Sequence, residues 1–248
     1  MIQNKIPKII HYCWFGGSKK TDLAEGCIKS WREKLPDYKI IEWNEDNFDI
    51  SMNSYVEEAY KNKKYAFVSD YVRLYALYNY GGIYMDTDVQ VIKKFDDLLL
   101  NEGFMGFEDK ELISTAVIGA SKGNQLIKEW METYKNRHFF EKGKMNTITN
   151  VRVITNFLLD CGLKQNNTIQ TIEKGNFIIY PIEYFSPLKL GKKEPNITSN
   201  SITIHWFEGT WLSGCQLVKI KFINIVKAII GFKNYNKIKC MIKNNKSC

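Results

Sequence analysis

A chain of 248 residues with 44% hydrophobic and 14% aromatic side chains is long enough for one sizeable core, which excludes a disordered chain. The formal charge of +8 is unevenly placed: eight lysines and no acid follow Glu208, and taking those eight from the 35 Lys and Arg leaves 27 against 27 Asp and Glu in residues 1–208. Basicity confined to a tail, with no recognition motif, argues against nucleic-acid binding. Six cysteines without CxxC spacing suit free thiols in a reducing cytosol better than a disulfide scaffold or a zinc site. The start has no signal-peptide pattern, and no run of 18 apolar residues predicts a spanning helix.

In chain order, IPKIIHYCWF (6–15) reads as a first buried strand ending in aromatics, followed by a Gly16-Gly17 loop. Residues 21–35 read as a helix with Thr21 or Asp22 as its N-cap, and KIIEWN after Pro36-Asp37-Tyr38 as a second strand. A polar loop and a helix over 53–63 lead to a longer helix from Tyr65, a Gly81-Gly82 stop, and a short strand that ends in Asp86-Thr87-Asp88. Further on, the pattern predicts a short helix at 96–100 and a strand at 103–108. A small apolar stretch follows at 114–121, with helices at 124–134 and 149–160. Strands at 177–188 and 201–207 flank a polar loop. Strands alternating with helices predict an α/β fold with an open, mostly parallel sheet flanked by helices. The expected organisation is a catalytic domain over 1–212 and a basic helical C-terminal tail over 213–248.

The chemistry concentrates in YAFVSDYVRLYALYNYGGIYMDTDVQV (65–91). Asp70 and Arg73 are three apart on a helix and therefore share a face. Asp86 and Asp88 are two apart at a strand end, a spacing that points both carboxylates the same way and suits one divalent cation. Acids at the end of a buried strand need a cation or a hydrogen-bonded partner, because uncompensated charge there is costly. In open α/β sheets ligands sit outside the carboxyl ends of strands. Tyr12/Trp14, Asp86/Asp88 and His205/Trp206/Trp211 are expected to gather there.

This segment resembles the DxD-containing sugar transferases with the GT-A fold, and in particular glycosyltransferase family 32, of bacterial capsular-polysaccharide transferases and yeast α-mannosyltransferases. The resemblance extends to IPKIIHYCWFGG, against a family strand IPKxIHxxW, and to HWFEGTW, against His-x-x-x-x-Ser-Trp with Thr210 in place of Ser. It implies a GT-A-like nucleotide-sugar-binding fold and a retaining, metal-dependent hexosyl transfer. Tyr12, Trp14, Asp70, Arg73, Thr87, Thr210 and Trp211 would contact the nucleotide sugar, with Trp211 closing over the phosphates. Asp86, Asp88 and His205 would hold Mn²⁺ or Mg²⁺, and Arg73, Asp86, Asp88 and Trp211 would serve catalysis. One departure stands out: Asn150-Val151-Arg152 replaces a Thr-Gly-Pro common on the acceptor side.

Among nearby carboxylates, Glu108, Asp109 and Glu208 offer no single nucleophile, so same-face transfer, in which the leaving diphosphate takes the acceptor's proton, is the simpler expectation. The expected donor is a UDP-hexose rather than GDP-mannose. The expected acceptor is a bacterial surface polysaccharide or a lipid-linked oligosaccharide. The apolar, lysine-rich tail suits peripheral contact with an anionic membrane, placing the enzyme on the cytoplasmic side at the inner face of the cell membrane. The alternatives are a toxin-like protein glycosyltransferase or nucleotide-sugar hydrolase, and a non-catalytic membrane-binding scaffold.

Overall fold

The computed structural model describes residues 3–141, 143–189 and 192–209; the expected tail, Thr210 and Trp211 lie outside them. Strand β1 (Ile9–Cys13) is followed by helix α1 (Asp22–Lys34), strand β2 (Lys39–Trp43) and helices α2 (Ser54–Lys61) and α3 (Tyr65–Tyr80). Next come β3 (Gly82–Met85), β4 (Val89–Val91), a 3-10 turn at Asp96–Leu100, β5 (Gly103–Gly106), β6 (Val117–Ala120) and α4 (Gln125–Glu132). The chain continues through a small hairpin of β7 (Phe140–Glu141) and β8 (Lys144–Met145), then α5 (Asn150–Asp160), β9 (Gln170–Ile172), β10 (Phe177–Tyr180), α6 (Ile182–Phe185) and β11 (Thr203–His205).

Seven strands form the main sheet in the order β2-β1-β3-β6-β5-β10-β9. Five of them (β2, β1, β3, β5 and β10) run one way, while β6 and β9 run against their neighbours. The mostly parallel α/β sheet expected from the alternation is therefore present. A separate two-stranded ribbon pairs β4 with β11, setting His205 opposite Val89. The β4 strand, the hairpin and β9 are additions to the elements read from sequence. The long strand expected over 177–188 stops at Tyr180, because Pro181 cannot extend a ladder and instead starts α6.

The two faces of the sheet build two cores. Tyr84 points with Met105, Ile118 and Ile179 toward α2, α3, α4 and α5, whereas Ile83 and Met85 point with Ile10 and Tyr12 toward Ile28 and Trp31 of α1. That is the period of two that a strand imposes. Helix α1 is capped by Thr21, whose hydroxyl accepts from Ala24 N at 3.1 Å. It docks on β4 through Trp31 Nε1, which donates to Val89 O at 2.7 Å, and Ser30 Oγ, which accepts from Val91 N at 3.0 Å.

The stop between α3 and β3 is set by two glycines with positive φ, 66° at Gly81 and 115° at Gly82. At Gly82 a Cβ would lie 2.6 Å from Ile9 O, so only glycine lets β3 approach β1 this closely. His11 locks the same corner. Trp43 Nε1 donates to His11 Nδ1 at 3.1 Å, which leaves Nε2–H to donate to Gly81 O at 2.8 Å. Both ring nitrogens are used in the neutral form, and burial pushes the imidazole pKa down to about 4 from 6.5.

A group with its pKa depressed on folding gives stability that is complete above the unfolded value and is lost as pH falls toward the folded one. For His11 that window runs from 6.5 to about 4. Moving from pH 7 to pH 5 is therefore expected to cost the wild type about 2 kcal/mol more than His11→Gln in urea unfolding. Equal losses in the two proteins would contradict the neutral, fully bonded imidazole.

Candidate active site

Helix α3 supplies the first half of the site. Arg73 is 4% exposed and Asp70 8% exposed, and Arg73 Nη2 lies 3.1 Å from Asp70 Oδ1 and 3.5 Å from Asp86 Oδ1. The rest of the guanidinium is also engaged: Nε donates to Ser69 O at 3.1 Å, Nη1 to Thr115 O at 2.7 Å, and Nη2 to Ser69 Oγ at 3.2 Å. Its carbon stands 4.6 Å from the centroid of the Tyr84 ring. Burial alone would lower the Arg73 pKa, but Tyr84, Asp86 and Asp70 raise it, so the group stays charged. Burial pushes the Asp70 carboxyl up, and Arg73 pulls it back.

Strand β3 supplies the second half. The acids do not continue the strand as the spacing suggested; they lie in a turn between β3 and β4, closed by Val89 N donating to Asp86 O at 3.1 Å. Thr87 and Asp88 are the two central residues of that turn. The turn gathers the two carboxylates, and pairing of β4 with β11 brings His205 to them. One ligand atom from each of Asp86, Asp88 and His205 lies within 4.8 Å of the others. His205 Nε2 is 3.4 Å from Asp88 Oδ1, and its buried Nδ1 has no hydrogen-bond partner. Burial lowers the His205 pKa, but Asp88, Asp86 and Glu108 together lift it above the ordinary value. Tyr84 OH donates to Asp86 Oδ1 at 2.8 Å and orients that carboxylate.

Two carboxylates and one imidazole are a hard, oxygen-rich donor set that fits Mn²⁺ or Mg²⁺. Opposite ligands at bonds of about 2.1 Å stand ~4.2 Å apart, so the triad needs only a small closure around an ion.

The first strand contributes differently from the expectation. Tyr12 is 4% exposed, packs edge-on against Trp31 at 5.5 Å, donates its hydroxyl to Glu42 and has the Lys20 ammonium 5.8 Å from its ring centroid, so little of the ring is left for stacking. Trp14 is half-buried, donates Nε1 to Ser18 O at 2.7 Å and has the Lys20 ammonium 5.6 Å from its ring. An open groove of about 630 Å³ runs past Tyr12, Lys20, Arg32 and Glu42, and shares no residue with the Asp86–Asp88–His205 triad. The β1 side chain beside the site is Cys13, whose thiol burial pushes up in pKa while feeling Arg73 and Asp86.

Several contributors escaped the sequence reading. Tyr84 was accessible from strand alternation, since it lies two residues before Asp86. Ser69, Thr115 and Cys13 carried no signal, because their parts depend on which strands become neighbours. Among the carboxylates, Glu108 follows β5 at the same sheet edge, where burial raises its pKa and His205, Asp86 and Asp88 act on it. Asp109 is exposed, and its Oδ1 accepts from Glu111 N at 2.8 Å and Leu112 N at 2.7 Å, closing a turn.

Residues 21–105 match the family described as "Glycosyltransferase sugar-binding region containing DXD motif". Among curated relatives, the chain is 32% identical over 149 residues to inositol phosphoceramide mannosyltransferase 3 of Schizosaccharomyces pombe, covering 54% of this chain and 40% of the relative. It is 32% identical over 139 residues to mannosyl phosphorylinositol ceramide synthase SUR1 of Saccharomyces cerevisiae, covering 53% and 35%. It thus spans less than half the length of these two relatives. An uncharacterized glycosyltransferase of Acanthamoeba polyphaga mimivirus is 25% identical over 236 residues, 88% of this chain and 89% of that one. Among solved structures, PaToxG glycosyltransferase superposes with a TM-score of 0.50 at 20% identity, over 62% of this chain and 69% of that one, a likeness of fold. Residues 21–105, a span that includes Asp86-Thr87-Asp88, are thus similar to a glycosyltransferase sugar-binding region containing a DXD motif, and the fold is GT-A-like.

Proposed function

We propose that this protein is a metal-dependent, retaining glycosyltransferase that moves a hexose from a nucleotide sugar to a hydroxyl of a glycan or lipid-linked acceptor. The observation that carries this reading is the convergence of Asp86, Asp88 and His205 beside the buried Asp70–Arg73 pair. Asp86, Asp88 and His205 would hold a divalent cation, which would supply the charge compensation that a departing nucleoside diphosphate needs. Asp70, whose neighbours leave it an acceptor of hydrogen bonds, binds and orients donor-sugar hydroxyls. Arg73 holds Asp86 in place and keeps a fixed positive charge beside the breaking sugar–phosphate bond. Trp14, the half-buried aromatic just after β1, lies against the nucleoside. Thr210 and Trp211 keep the roles that the motif resemblance gives them.

The relatives named as mannosyltransferases make GDP-mannose a donor to test beside the UDP-hexoses. They also favour a lipid-borne acceptor, whereas a capsular polysaccharide rests on the motif resemblance alone. Retention is assigned to same-face transfer, in which the leaving diphosphate accepts the acceptor's proton. The peripheral location at the inner membrane face rests on the composition of residues 209–248, eight lysines with no acid. Among the described residues no helix is long and apolar enough to cross a membrane.

Nucleotide release from a panel of UDP- and GDP-sugars is expected to require Mn²⁺ or Mg²⁺ for one donor. EDTA or Asp88→Asn should abolish it, and Arg73→Lys, which loses the forked contacts, should lower kcat by ~10²-fold. Metal-independent turnover retained in Asp88→Asn would sink the assignment. A Glu108→Gln variant is expected to keep turnover within about tenfold, and the wild type to form no covalent intermediate; a glycosyl group trapped on Glu108 of the wild type, with loss in Glu108→Gln on the scale of an essential nucleophile, would replace same-face transfer by double displacement. The full chain should co-sediment with phosphatidylglycerol-containing vesicles at low salt, and a chain ending at residue 212 should not. Equal sedimentation of the two would remove the tail from the membrane assignment.

A further inference from the structure

We propose that Arg137, Asn150 and Tyr55 form a subsite beside Asp70 for an anionic oxygen group, a phosphate carried by the acceptor. This inference takes its assignment to the acceptor from the transferase reading, whereas its chemistry stands on the side chains themselves.

Arg137 is half-buried, with its guanidinium carbon 4.8 Å from the centroid of the Tyr55 ring and 5.1 Å from that of Tyr134. No described carboxylate comes within the 4.0 Å of an ion pair. A cation resting on aromatic rings keeps its N–H edge for another acceptor, and that edge matches phosphate geometry. Asn150 is 6% exposed; its Oδ1 accepts from Tyr134 OH at 3.4 Å, and its Nδ2 faces the Asp70 carboxylate without a well-aligned hydrogen bond to it. Tyr55 is fully buried, and its hydroxyl is likewise without a partner. A buried donor left unpaired is costly, and a native chain keeps such a group where a ligand completes it.

Position reinforces the chemistry. Asn150 opens α5, an eleven-residue helix whose Thr149 makes no side-chain cap, so the positive end of the helix is added to the Arg137 charge. Asp70 acts electrostatically on Tyr55 and Tyr134, and both Arg137 and Asn150 act on Asp70, so the cluster adjoins Asp70. The Asp70 charge is already matched by Arg73 at 3.1 Å and does not cancel Arg137. A neutral sugar hydroxyl needs one donor and one acceptor; this cluster offers donors from three side chains and a helix end. The nucleoside diphosphate is accommodated at Asp86, Asp88 and His205, on the other side of Arg73. A second anion therefore comes with the acceptor.

The test is calorimetric titration of the full chain with glucose 6-phosphate and with glucose, in EDTA so that the metal site is silent. The phosphorylated sugar is expected to bind at least tenfold more tightly than glucose, and Arg137→Gln is expected to remove that advantage while the thermal unfolding midpoint stays within a few degrees. Asn150→Ala should reduce it by a smaller factor and serves if Arg137→Gln does not fold. Equal binding of the two sugars by the wild type, or an advantage undiminished in folded Arg137→Gln, would overturn the subsite. In a second arm, Arg137→Gln should leave the affinities for UDP-glucose and UDP-glucuronate unchanged. A selective loss for the uronate would place the anion on the donor and overturn the acceptor assignment. Because the titration needs no turnover, absence of metal-dependent nucleotide release by the wild type would count against the transferase reading alone.

Discussion

Burial of the Arg73 guanidinium between the carboxylates of Asp70 and Asp86 is the constraint from which the rest of the site follows. Taking such a charge out of water costs several kcal/mol unless every N–H finds an acceptor. Here Ser69 O, Ser69 Oγ and Thr115 O complete the shell. Those contacts tie three separate elements together: α3, the turn after β3, and the segment entering β6. Removing any one of them leaves a buried charge partly unpaired. The fold and the chemistry therefore depend on the same side chain.

The sheet order turns that local arrangement into an open site. Strand β6 runs against β3 and β5, so the segment before it, with Thr115, sits at the carboxyl ends of its neighbours. Asp86, the Thr115 carbonyl and Glu108 thus line one edge. The β4–β11 ribbon then folds His205 onto that edge from 117 residues beyond Asp88 (205 against 88). Helix α1 holds the ribbon from below through Trp31 and Ser30. Gly81, Gly82 and His11 make the tight corner that lets α3 and β3 present their acids so close together.

Polarity is graded along α3. Near the C-terminal end of the line, Asp86, Asp88 and His205 concentrate negative charge suited to a cation. Arg73 separates them from Asp70, and past Asp70 the charge turns positive again at Arg137. Placement of this kind governs orientation and specificity more than affinity.

Local pattern determined much of this protein. The Thr21 cap, the amphipathic α3, the glycine stop and the buried β3 were legible because each depends on neighbours within a few residues. The pairing of Asp70 with Arg73 and the closeness of the Asp86 and Asp88 carboxylates were legible for the same reason. Tertiary structure decided the rest. It enclosed Tyr12 against Trp31, because a residue's fate on a two-sided strand depends on which helix covers its face. It turned the acids into a reverse turn rather than a strand end, and placed Glu108 rather than Asp109 at the site edge. It also assembled Tyr55, Arg137 and Asn150 from three distant segments. Hydrophobic periodicity records which face of an element is buried; it holds no information on which other element arrives there, and the chemistry of this site is made by those arrivals.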